Sequence, residues 1–393
     1  MTISKPVFDR LGLGVWIGAF LVVLVLVLWA PDTRSVLMAY RYGSEEFLAG
    51  RPLYNVQSEM GYLYAPAFAA LYVPVLKLGP HLGGLVWHII GFAVLTFAAM
   101  RQVRKLGGSE LTWLLSFGVF LALPMALGAI RNGQATILLT GACWLLTLSA
   151  LEGRRAETFF WASVAIIAKP TAVIMLLLVG ALRFRLIPVL ALSVLFVIAL
   201  PYAFAPAGYL TDQYRVFAGM LTSMAVDNTS HFVPTDFTAP FTRVGLPIPE
   251  FGATIMRIVM ALFTLFTVVW FDRKLERGTA DLAIFLTATF YMCVFNPRVE
   301  PNTYAMVAVP AGLAIALLWR EERGGVLASI LSVMLFVTGL TGVERHIQDF
   351  SYPWFRPIAV TIIAGSLIWW FWARARDKVA RDKVMNERPV ANG

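Results

Sequence analysis

The segment LGLGVWIGAFLVVLVLVLWA, residues 11–30, holds twenty residues and not one charged side chain. An α-helix rises about 1.5 Å per residue, so about twenty apolar residues cross the roughly 30 Å hydrocarbon core of a bilayer. Lys5 and Arg10 precede the segment, and no Ala-x-Ala cleavage pattern follows it. We therefore expect a retained first membrane helix and not a cleaved signal peptide.

The composition of the whole chain agrees with this segment. Of the 393 residues, 59% are hydrophobic and only 14% are charged, whereas a soluble chain carries about 25% charged residues. Too few polar side chains are present to cover a soluble globule of this size. The composition excludes a cytosolic enzyme, a nucleic-acid-binding protein and a disordered scaffold, and it favours a polytopic membrane protein.

Further apolar segments predict the fold class, an all-α polytopic transmembrane bundle with about ten full spans and a few short or broken membrane segments. Segments 62–79 and 158–182 fall short because they contain Pro66 and Pro170, and proline breaks or kinks a helix. We expect one transmembrane domain over 1–373 and a basic cytoplasmic tail over 374–393. The apolar segments after the first lie at 62–79, 83–100, 111–129, 134–150, 158–168, 170–182, 187–205, 253–271, 280–296, 303–319, 326–342 and 355–373.

The net charge of +9 bears on orientation. In a membrane protein, excess Lys and Arg marks the cytoplasmic loops. If the N-terminus is cytoplasmic and 62–79 does not cross, most basic residues fall on the cytoplasmic side, including the clusters at 101–105, 154–155 and 273–277. This assignment predicts a multi-pass protein of the cell's inner (plasma) membrane with both termini cytoplasmic and the active-site loops extracytoplasmic.

The first outer loop, 31–61, and the residues just after it carry the candidate catalytic groups. A carboxylate beside the bilayer can act as a general base toward a hydroxyl acceptor. The candidate catalytic carboxylates are Asp32, Glu45 and Glu46. The candidate substrate-binding side chains are Arg34, Tyr62 and Tyr64. The alternatives are carboxylates that are merely solvated and aromatic anchors at the membrane interface.

Two polar interruptions lie at helix ends on the same predicted face. We expect Arg131, Asn132 and Gln134 to bind a headgroup, and the alternative is that Asn132 caps the helix that follows. Lys169 precedes Pro170 at a helix break, where a cation is costly unless it is paired or faces water. Lys169 is therefore a candidate phosphate ligand, and the alternative is that its side chain snorkels to the interface.

Two later outer segments supply the remaining candidates. Arg298, Glu300 and Asn302 lie in a proline-bounded tract between two apolar helices, and Asn228 lies in the long loop 206–252. We expect Arg298 to face a phosphate, and the alternative is a simple pair between Arg298 and Glu300. The two cysteines lie in apolar runs and are expected to be buried small hydrophobes, and the four histidines show no metal-ligand spacing. No metal ligand is predicted, and metal dependence stays open.

In their order along the chain, these motifs resemble the integral-membrane glycosyltransferases of the GT-C superfamily. The resemblance is greatest to the GT87-like family, which includes the polyprenyl-phosphate-mannose-dependent α-mannosyltransferases. It covers roughly residues 30–320. The segments that carry it are 47–54 (FLAGRPLY), 62–66 (YLYAP), 132–134 (NGQ), 168–170 (AKP), 228–230 (NTS) and 296–297 (NP).

The resemblance implies an enzyme that transfers a hexosyl or pentosyl group, with inversion, from a polyprenyl-phosphate donor to a hydroxyl of a lipid or glycan acceptor. It implies no cofactor, because the lipid-linked sugar is a substrate. The implied partners are membrane lipids, the donor and a glycan or glycolipid acceptor, and nucleic acid is not among them. The family's base is a first-loop Asp, and the corresponding position here is Val36. Asp32 is therefore the preferred base, with Glu45 and Glu46 as alternatives.

Two other functions fit the same features. A transporter or flippase of a lipid-linked envelope precursor would also use broken helices and intramembrane charge. The lack of internal sequence repeats and the loops on one face disfavour that function. A non-catalytic membrane subunit is the third hypothesis, and it would need none of the first-loop carboxylates.

Overall fold

A computed structural model describes residues 5–54, 61–108, 110–223, 235–297, 299–322, 325–342 and 345–386. Every regular element within these ranges is a helix, so the predicted all-α bundle is confirmed. Two of the predicted binding residues, Asn228 and Arg298, lie outside the described residues.

The helices follow the apolar segments of the sequence and are numbered in chain order. They are α1 (Lys5–Trp29), α2 (Leu37–Ala49), α3 (Pro66–Lys77), α4 (Gly79–Leu106), α5 (Leu111–Arg131), α6 (Ala135–Leu151), α7 (Arg155–Ala168), α8 (Val173–Leu182), α9 (Ile187–Ala199), α10 (Ala207–Ser223), α11 (Ala239–Arg243), α12 (Glu250–Lys274), α13 (Arg277–Val294), α14 (Ala305–Glu322), α15 (Val326–Leu340), α16 (Arg345–Ser351) and α17 (Phe355–Asn386). Short 3₁₀ turns lie at Pro170–Ala172, Phe184–Leu186, Leu200–Ala203 and Pro301–Tyr304.

The chain is a multi-pass membrane protein. In the part of the chain that the structure describes, seven helices are long and apolar enough to cross a bilayer, within α1, α4, α5, α9, α12, α14 and α17 with their flanking turns. Segments 134–150, 280–296 and 326–342, also predicted to cross, form the 17-residue α6, the 18-residue α13 and the 15-residue α15, none of which is among the seven. Because these helices are shorter than the usual span, the number of full crossings stays a prediction.

The core of the bundle is built around α6, α13 and α14. Every residue of α6 except Leu138 is buried, so this helix is enclosed by its neighbours. Helices α5 and α14 approach most closely at Gly118 and Gly312, because a Cβ atom added at Gly312 would lie 2.2 Å from the Gly118 carbonyl oxygen. The outer helices α1, α9 and α12 instead expose leucines such as Leu21, Leu195 and Leu262, as a lipid-facing surface requires.

Basic clusters that are far apart in the sequence meet at one end of the bundle, which we call the basic end. There Lys105 contacts Asp281, Arg183 donates to Asp272 at 2.7 and 2.8 Å, and Arg277 donates to the Leu151 carbonyl at 2.6 Å. These contacts join the C-terminal ends of α4, α6, α8 and α12 to the start of α13. The basic loops that the charge pattern assigned to the same side of the membrane are therefore together at the same end of the bundle.

Helix α3 begins and ends away from the basic end. It has only 12 residues, or about 18 Å of helix, which is too short to cross a bilayer. Just after it, His81 hydrogen-bonds through Nδ1 to the Leu28 carbonyl at 2.8 Å, near the C-terminal end of α1. Segment 62–79 therefore returns to the side from which it started.

The structure differs from the sequence prediction in two peripheral places. The region 206–252, predicted to be a loop, contains α10, whose buried residues Leu210, Gln213 and Phe217 lie at helical spacing. Gln213 accepts a hydrogen bond from the Leu53 amide at 2.9 Å, so α10 packs on the first loop. The last helix continues past residue 373 to Asn386.

Candidate active site

The end of the bundle opposite the basic end gathers most of the described candidate residues, and an aromatic cluster forms its floor. The rings of Tyr40 and Tyr64 meet edge to face at 5.0 Å, and Phe68 and Trp87 pack against Tyr40 at 4.8 and 5.6 Å. Edge-to-face contacts of this kind fix ring positions and stabilise a buried cluster. These contacts hold together α2, the start of α3 with the residues that precede it, and α4.

A chain of hydrogen bonds runs from the N-terminus of α6 into this cluster. The Ala135 amide donates to the Tyr40 hydroxyl at 2.9 Å, and the Tyr40 and Tyr64 hydroxyls lie 3.0 Å apart. The first amides of a helix have no partner within the helix and carry partial positive charge. Burial raises the pKa of Tyr64, although the nearby Lys169 cation acts in the opposite direction, and the hydroxyl is therefore neutral at pH 7.

Lys169 lies at the break between α7 and α8. Its backbone is extended, with φ −158° and ψ 137°, as expected for a residue before proline. Both Glu300 and Tyr64 act on the Lys169 ammonium electrostatically. Among the described residues no direct ion pair to Lys169 is formed, so its donors are not consumed by a carboxylate.

Glu300 opens the 3₁₀ turn at Pro301–Tyr304. Its amide donates to the Thr303 hydroxyl at 3.2 Å, and the Thr303 amide donates to the Glu300 carbonyl at 2.9 Å. Asn302, in the same turn, lies over the C-terminal part of α5, since its Oδ1 is 3.5 Å from the position of a Cβ atom on Gly128. The predicted residues Glu300 and Asn302 thus connect the Lys169 break to the end of α5.

The turn after α5 joins the first loop to α6. The Val36 amide donates to the Asn132 carbonyl at 3.0 Å, and the Trp87 indole donates to the Gly133 carbonyl at 2.8 Å. Gly133 has φ 65°, and a Cβ atom there would approach the Leu37 side chain to 2.9 Å, so both the backbone and the packing require glycine.

The interpretation of Asn132 as the cap of the following helix is wrong. Asn132 is the C-cap of α5, and the left-handed Gly133 ends that helix in the way that glycine commonly does. The N-cap of α6 is Gln134, whose buried side chain makes no capping hydrogen bond.

Arg34 and Arg131 form a pair of like charges at this turn. The Arg34 guanidinium acts repulsively on that of Arg131, and Arg34 has the left-handed φ of 52° that non-glycine residues seldom adopt. The Arg131 Nη1 atom is buried and has no hydrogen-bond partner within the described ranges. No described carboxylate pairs with either arginine. Two guanidinium groups without a described carboxylate partner, one with a buried donor, have the chemistry to bind an anion with several acceptor oxygens.

Arg356, at the start of α17, is buried against the Pro301–Tyr304 turn and stabilises it. Only 3% of its surface is exposed. It donates to the Pro301 carbonyl at 3.0 Å and to the Thr341 hydroxyl at 3.3 Å, and its guanidinium lies 3.8 Å from the centre of the Tyr352 ring. Sequence reasoning missed this residue. The available signal was an arginine between two prolines at the start of an apolar helix, at 353–357.

The three first-loop carboxylates occupy different surroundings. Asp32 contacts Arg41 and leaves 52% of its side chain exposed. Glu46 accepts two hydrogen bonds from Arg51, at 2.6 and 2.7 Å, and these bonds hold the pKa of Glu46 below its usual value. Glu45 is exposed on the opposite face of α2 from its buried residues. The assignment of a base among them stays a prediction.

Tyr62, a predicted binding residue, and the buried His88 both have structural partners. The Tyr62 hydroxyl donates to the Ala65 carbonyl at 2.9 Å, and His88 is buried with its Nδ1 atom 2.7 Å from the Gly84 carbonyl oxygen. Cys143 and Cys293 are both free and buried, as expected. Across the described part of the chain, no group of three or more His, Cys, Asp or Glu residues could hold a metal ion.

Comparison with known families decides what kind of protein carries this site. The model of glycosyltransferase family 87 matches residues 62–297, more than half of the chain. The chain belongs to glycosyltransferase family 87. No curated protein and no solved structure matches it.

The family-87 match covers part of the site. It begins at Tyr62 and includes Arg131, Gln134 and Lys169. The first-loop carboxylates lie before it, and the turn with Glu300 lies after it. This family-87 chain is thus a membrane glycosyltransferase, with lipids as its surroundings and a sugar donor and an acceptor as its substrates.

Proposed function

We propose that this enzyme transfers a sugar from a polyprenyl-phosphate donor to a hydroxyl of a lipid or glycan acceptor, on the extracytoplasmic face of the inner membrane. The observation that carries the proposal is a set of three cations, Arg34, Arg131 and Lys169, that form no ion pair with any described carboxylate. A lipid phosphate supplies the anion that these groups lack, at the end of a membrane bundle where a lipid-linked donor lies.

The proposed reaction needs charge stabilisation on the leaving phosphate. The acceptor oxygen forms a bond to the anomeric carbon, the bond from that carbon to the phosphate oxygen breaks, and polyprenyl phosphate leaves with the electron pair. Arg131 and Arg34 hold the phosphate oxygens, and Lys169 stabilises the charge that develops on them. Attack from the face opposite the phosphate inverts the anomeric configuration.

The proton of the acceptor hydroxyl must pass to a base. We assign this role to Asp32, because its half-exposed carboxylate lies in the same short loop as Arg34. Glu300 and Asn302, beside Lys169 and the end of α5, bind sugar hydroxyls in this proposal. The Tyr40–Tyr64 hydrogen bond fixes the floor on which the sugar rests.

The cytoplasmic assignment of the basic end follows from the excess of Arg and Lys there. It places both termini in the cytoplasm and the anion site outside. A lipid-linked donor that is used outside the cytoplasm supplies the energy of transfer through its phosphate bond, so no nucleotide and no resident cofactor are required in this proposal.

The test is sugar transfer from a radiolabelled polyprenyl-phosphate sugar in membranes that contain each variant. We expect Lys169→Ala and Asp32→Asn to lose transfer, because one removes charge stabilisation and the other removes the base. The matched controls are Lys77→Ala, an exposed lysine at the end of α3, and Asp212→Asn, an exposed aspartate paired with Arg215 at 2.7 Å. Full transfer by both site variants would contradict the proposal.

A further inference from the structure

A second site lies at the basic end, about 25 Å along α6 from the aromatic floor, since α6 has 17 residues. Its frame is a set of ion pairs between α4 and the turn from α6 to α7. Arg101 donates to Glu152 at 2.6 Å and to Glu157 at 2.7 Å, and Arg154 contacts the same two carboxylates at 2.8 and 2.7 Å. The Ser149 hydroxyl adds a hydrogen bond to Glu157 at 3.0 Å.

Beside this frame is a pocket of about 570 Å³. Its polar wall is formed by three arginines and one carboxylate, Arg101, Arg104, Arg154 and Glu157, and its apolar wall by Phe97, Ala156, Phe160 and Trp161. The volume suits part of a lipid and exceeds what a single inorganic ion needs.

The positive charges of the pocket are not all neutralised by the frame. Glu152 and Glu157 are shared between Arg101 and Arg154. Arg104 is exposed, and no described acidic side chain pairs with it. Arg154 contacts the two carboxylates through its Nε and Nη1 atoms. The pocket therefore offers guanidinium donors to an anion.

The apolar wall is open to the surroundings. Phe97 is 47% exposed and Phe160 is 55% exposed, and both belong to helices of a membrane bundle. Aromatic rings that are exposed one or two turns from a cluster of arginines match a molecule that is anionic at one end and apolar at the other.

We propose that this pocket binds an anionic phospholipid, with its phosphate on Arg104 and Arg154 and an acyl chain against Phe97 and Phe160. A lipid headgroup and free phosphate would both offer anionic oxygens to the arginines, but only a lipid also has an apolar chain that contacts the apolar wall. The bound lipid ties α4 to α7, the helix that ends at Lys169. This site is independent of the proposed function, because the transfer reaction does not involve it.

The test is lipid retention in native mass spectrometry of the full-length protein in neutral detergent, titrated with phosphatidylglycerol or phosphatidylcholine of the same acyl chains. We expect preferential retention of phosphatidylglycerol. Since each arginine at an anionic lipid contributes a modest free energy, Arg104→Gln is expected to lower that retention about fivefold. Arg155→Gln is the matched control, because it removes the same charge from an exposed arginine that does not line the pocket.

A second pair of measurements separates the lipid from its phosphate. Phe160→Ala is expected to lower retention of phosphatidylglycerol while Arg104 is intact, and millimolar inorganic phosphate is expected to leave retention unchanged. Equal retention of the two lipids by the native chain, equal loss in Arg155→Gln and Arg104→Gln, or full displacement by inorganic phosphate would each overturn the proposal. No sugar transfer is measured, so failure here leaves the proposed function untouched.

Discussion

The hydroxyl groups of Tyr40 and Tyr64 lie 3.0 Å apart. This contact joins a helix of the first loop to the segment before α3, and the Ala135 amide extends it to the first turn of α6. Positions 40, 64 and 135 are far apart in the sequence, so one hydrogen-bonded group holds three parts of the site together.

Replacing Tyr40 with Phe removes the acceptor of the Ala135 amide. A buried donor left without a partner costs about 1–3 kcal/mol, so we expect a lower midpoint of thermal unfolding in detergent. Transfer is also expected to fall because Tyr64 loses its partner. Tyr202→Phe is the control, since the hydroxyl of the exposed Tyr202 makes a long 3.3 Å contact with the Thr211 hydroxyl and the substitution keeps its ring. Equal unfolding midpoints for the two variants would contradict the role given to Tyr40.

Replacing Arg131 with Gln separates activity from stability. Hydrogen bonds to charged groups are worth about 1.5–3 kcal/mol, so loss of one to the donor phosphate is expected to lower transfer at least about tenfold. The unfolding midpoint is expected not to fall, because the substitution also removes the repulsion from Arg34. Arg155→Gln serves as the control for both measurements. A variant that is destabilised but fully active would show that Arg131 is structural.

The pH dependence of transfer distinguishes Glu46 from Asp32 as the base. Arg51 lowers the pKa of Glu46, so Arg51→Gln raises that pKa toward its ordinary value of about 4.3. If Glu46 were the base, the acid limb of the transfer profile would move to higher pH in this variant. We expect no movement of that limb, since the proposal assigns the base to Asp32.

The same ion pair has a defined effect on stability. A carboxyl with a depressed pKa in the folded state stabilises the fold above the pKa of the unfolded chain, and this contribution disappears as the pH falls through the folded-state value. At pH 7 the unfolding midpoint of the native protein is therefore expected to be higher than that of the Arg51→Gln variant. The difference is expected to be small because Arg51 is exposed. Thermal unfolding at pH 7 and at pH 3 checks this, and a larger difference at pH 3 would contradict it.

Membrane orientation can be tested by cysteine labelling with a membrane-impermeant maleimide. Both natural cysteines are buried, so the background is expected to be low. Glu45→Cys lies on an exposed face near the proposed active site, and Arg155→Cys lies at the basic end. We expect the first to be labelled in intact cells and the second only after permeabilisation. The reverse pattern would invert the proposed topology.

Close packing of α5 and α14 gives a stability prediction. Gly312→Ala places a methyl group 2.2 Å from the Gly118 carbonyl oxygen, and overpacking of this kind costs about 1–3 kcal/mol. Gly365→Ala is the matched control in α17, since nothing lies within 4 Å of the added carbon. Unfolding midpoints in detergent are compared, and no difference between the variants would show that the two helices separate easily.

Local sequence signals predicted the helices well. The apolar segment 11–30 lies in α1 up to Trp29, and the Lys169-Pro170 break appeared where proline forces the preceding residue into an extended conformation. These features depend on apolar length and on a steric rule within two residues, and both can be read from the chain. The same rules left α10 unseen, because an amphipathic surface helix lacks the long apolar run used to find the others.

The site was only partly predictable for a different reason. Lys169 and Glu300 were singled out because charge in an apolar setting is costly, and the structure does bring them near each other. Tyr40 and Arg356 were missed because their importance lies in contacts with residues 95 and 55 positions away. Nothing in a tyrosine of the first loop indicates that it will meet the start of α6.

The enclosure of α6 has a mechanical consequence. A helix exposed to lipid can tilt when the bilayer becomes thinner or thicker, but α6 is surrounded by protein along almost its whole length. Its two ends carry the Tyr40 contact and the Glu152 ion pairs. The depth of the anion site relative to the basic end is thus fixed by the protein alone. We therefore expect the catalytic geometry to be the same in membranes of different thickness.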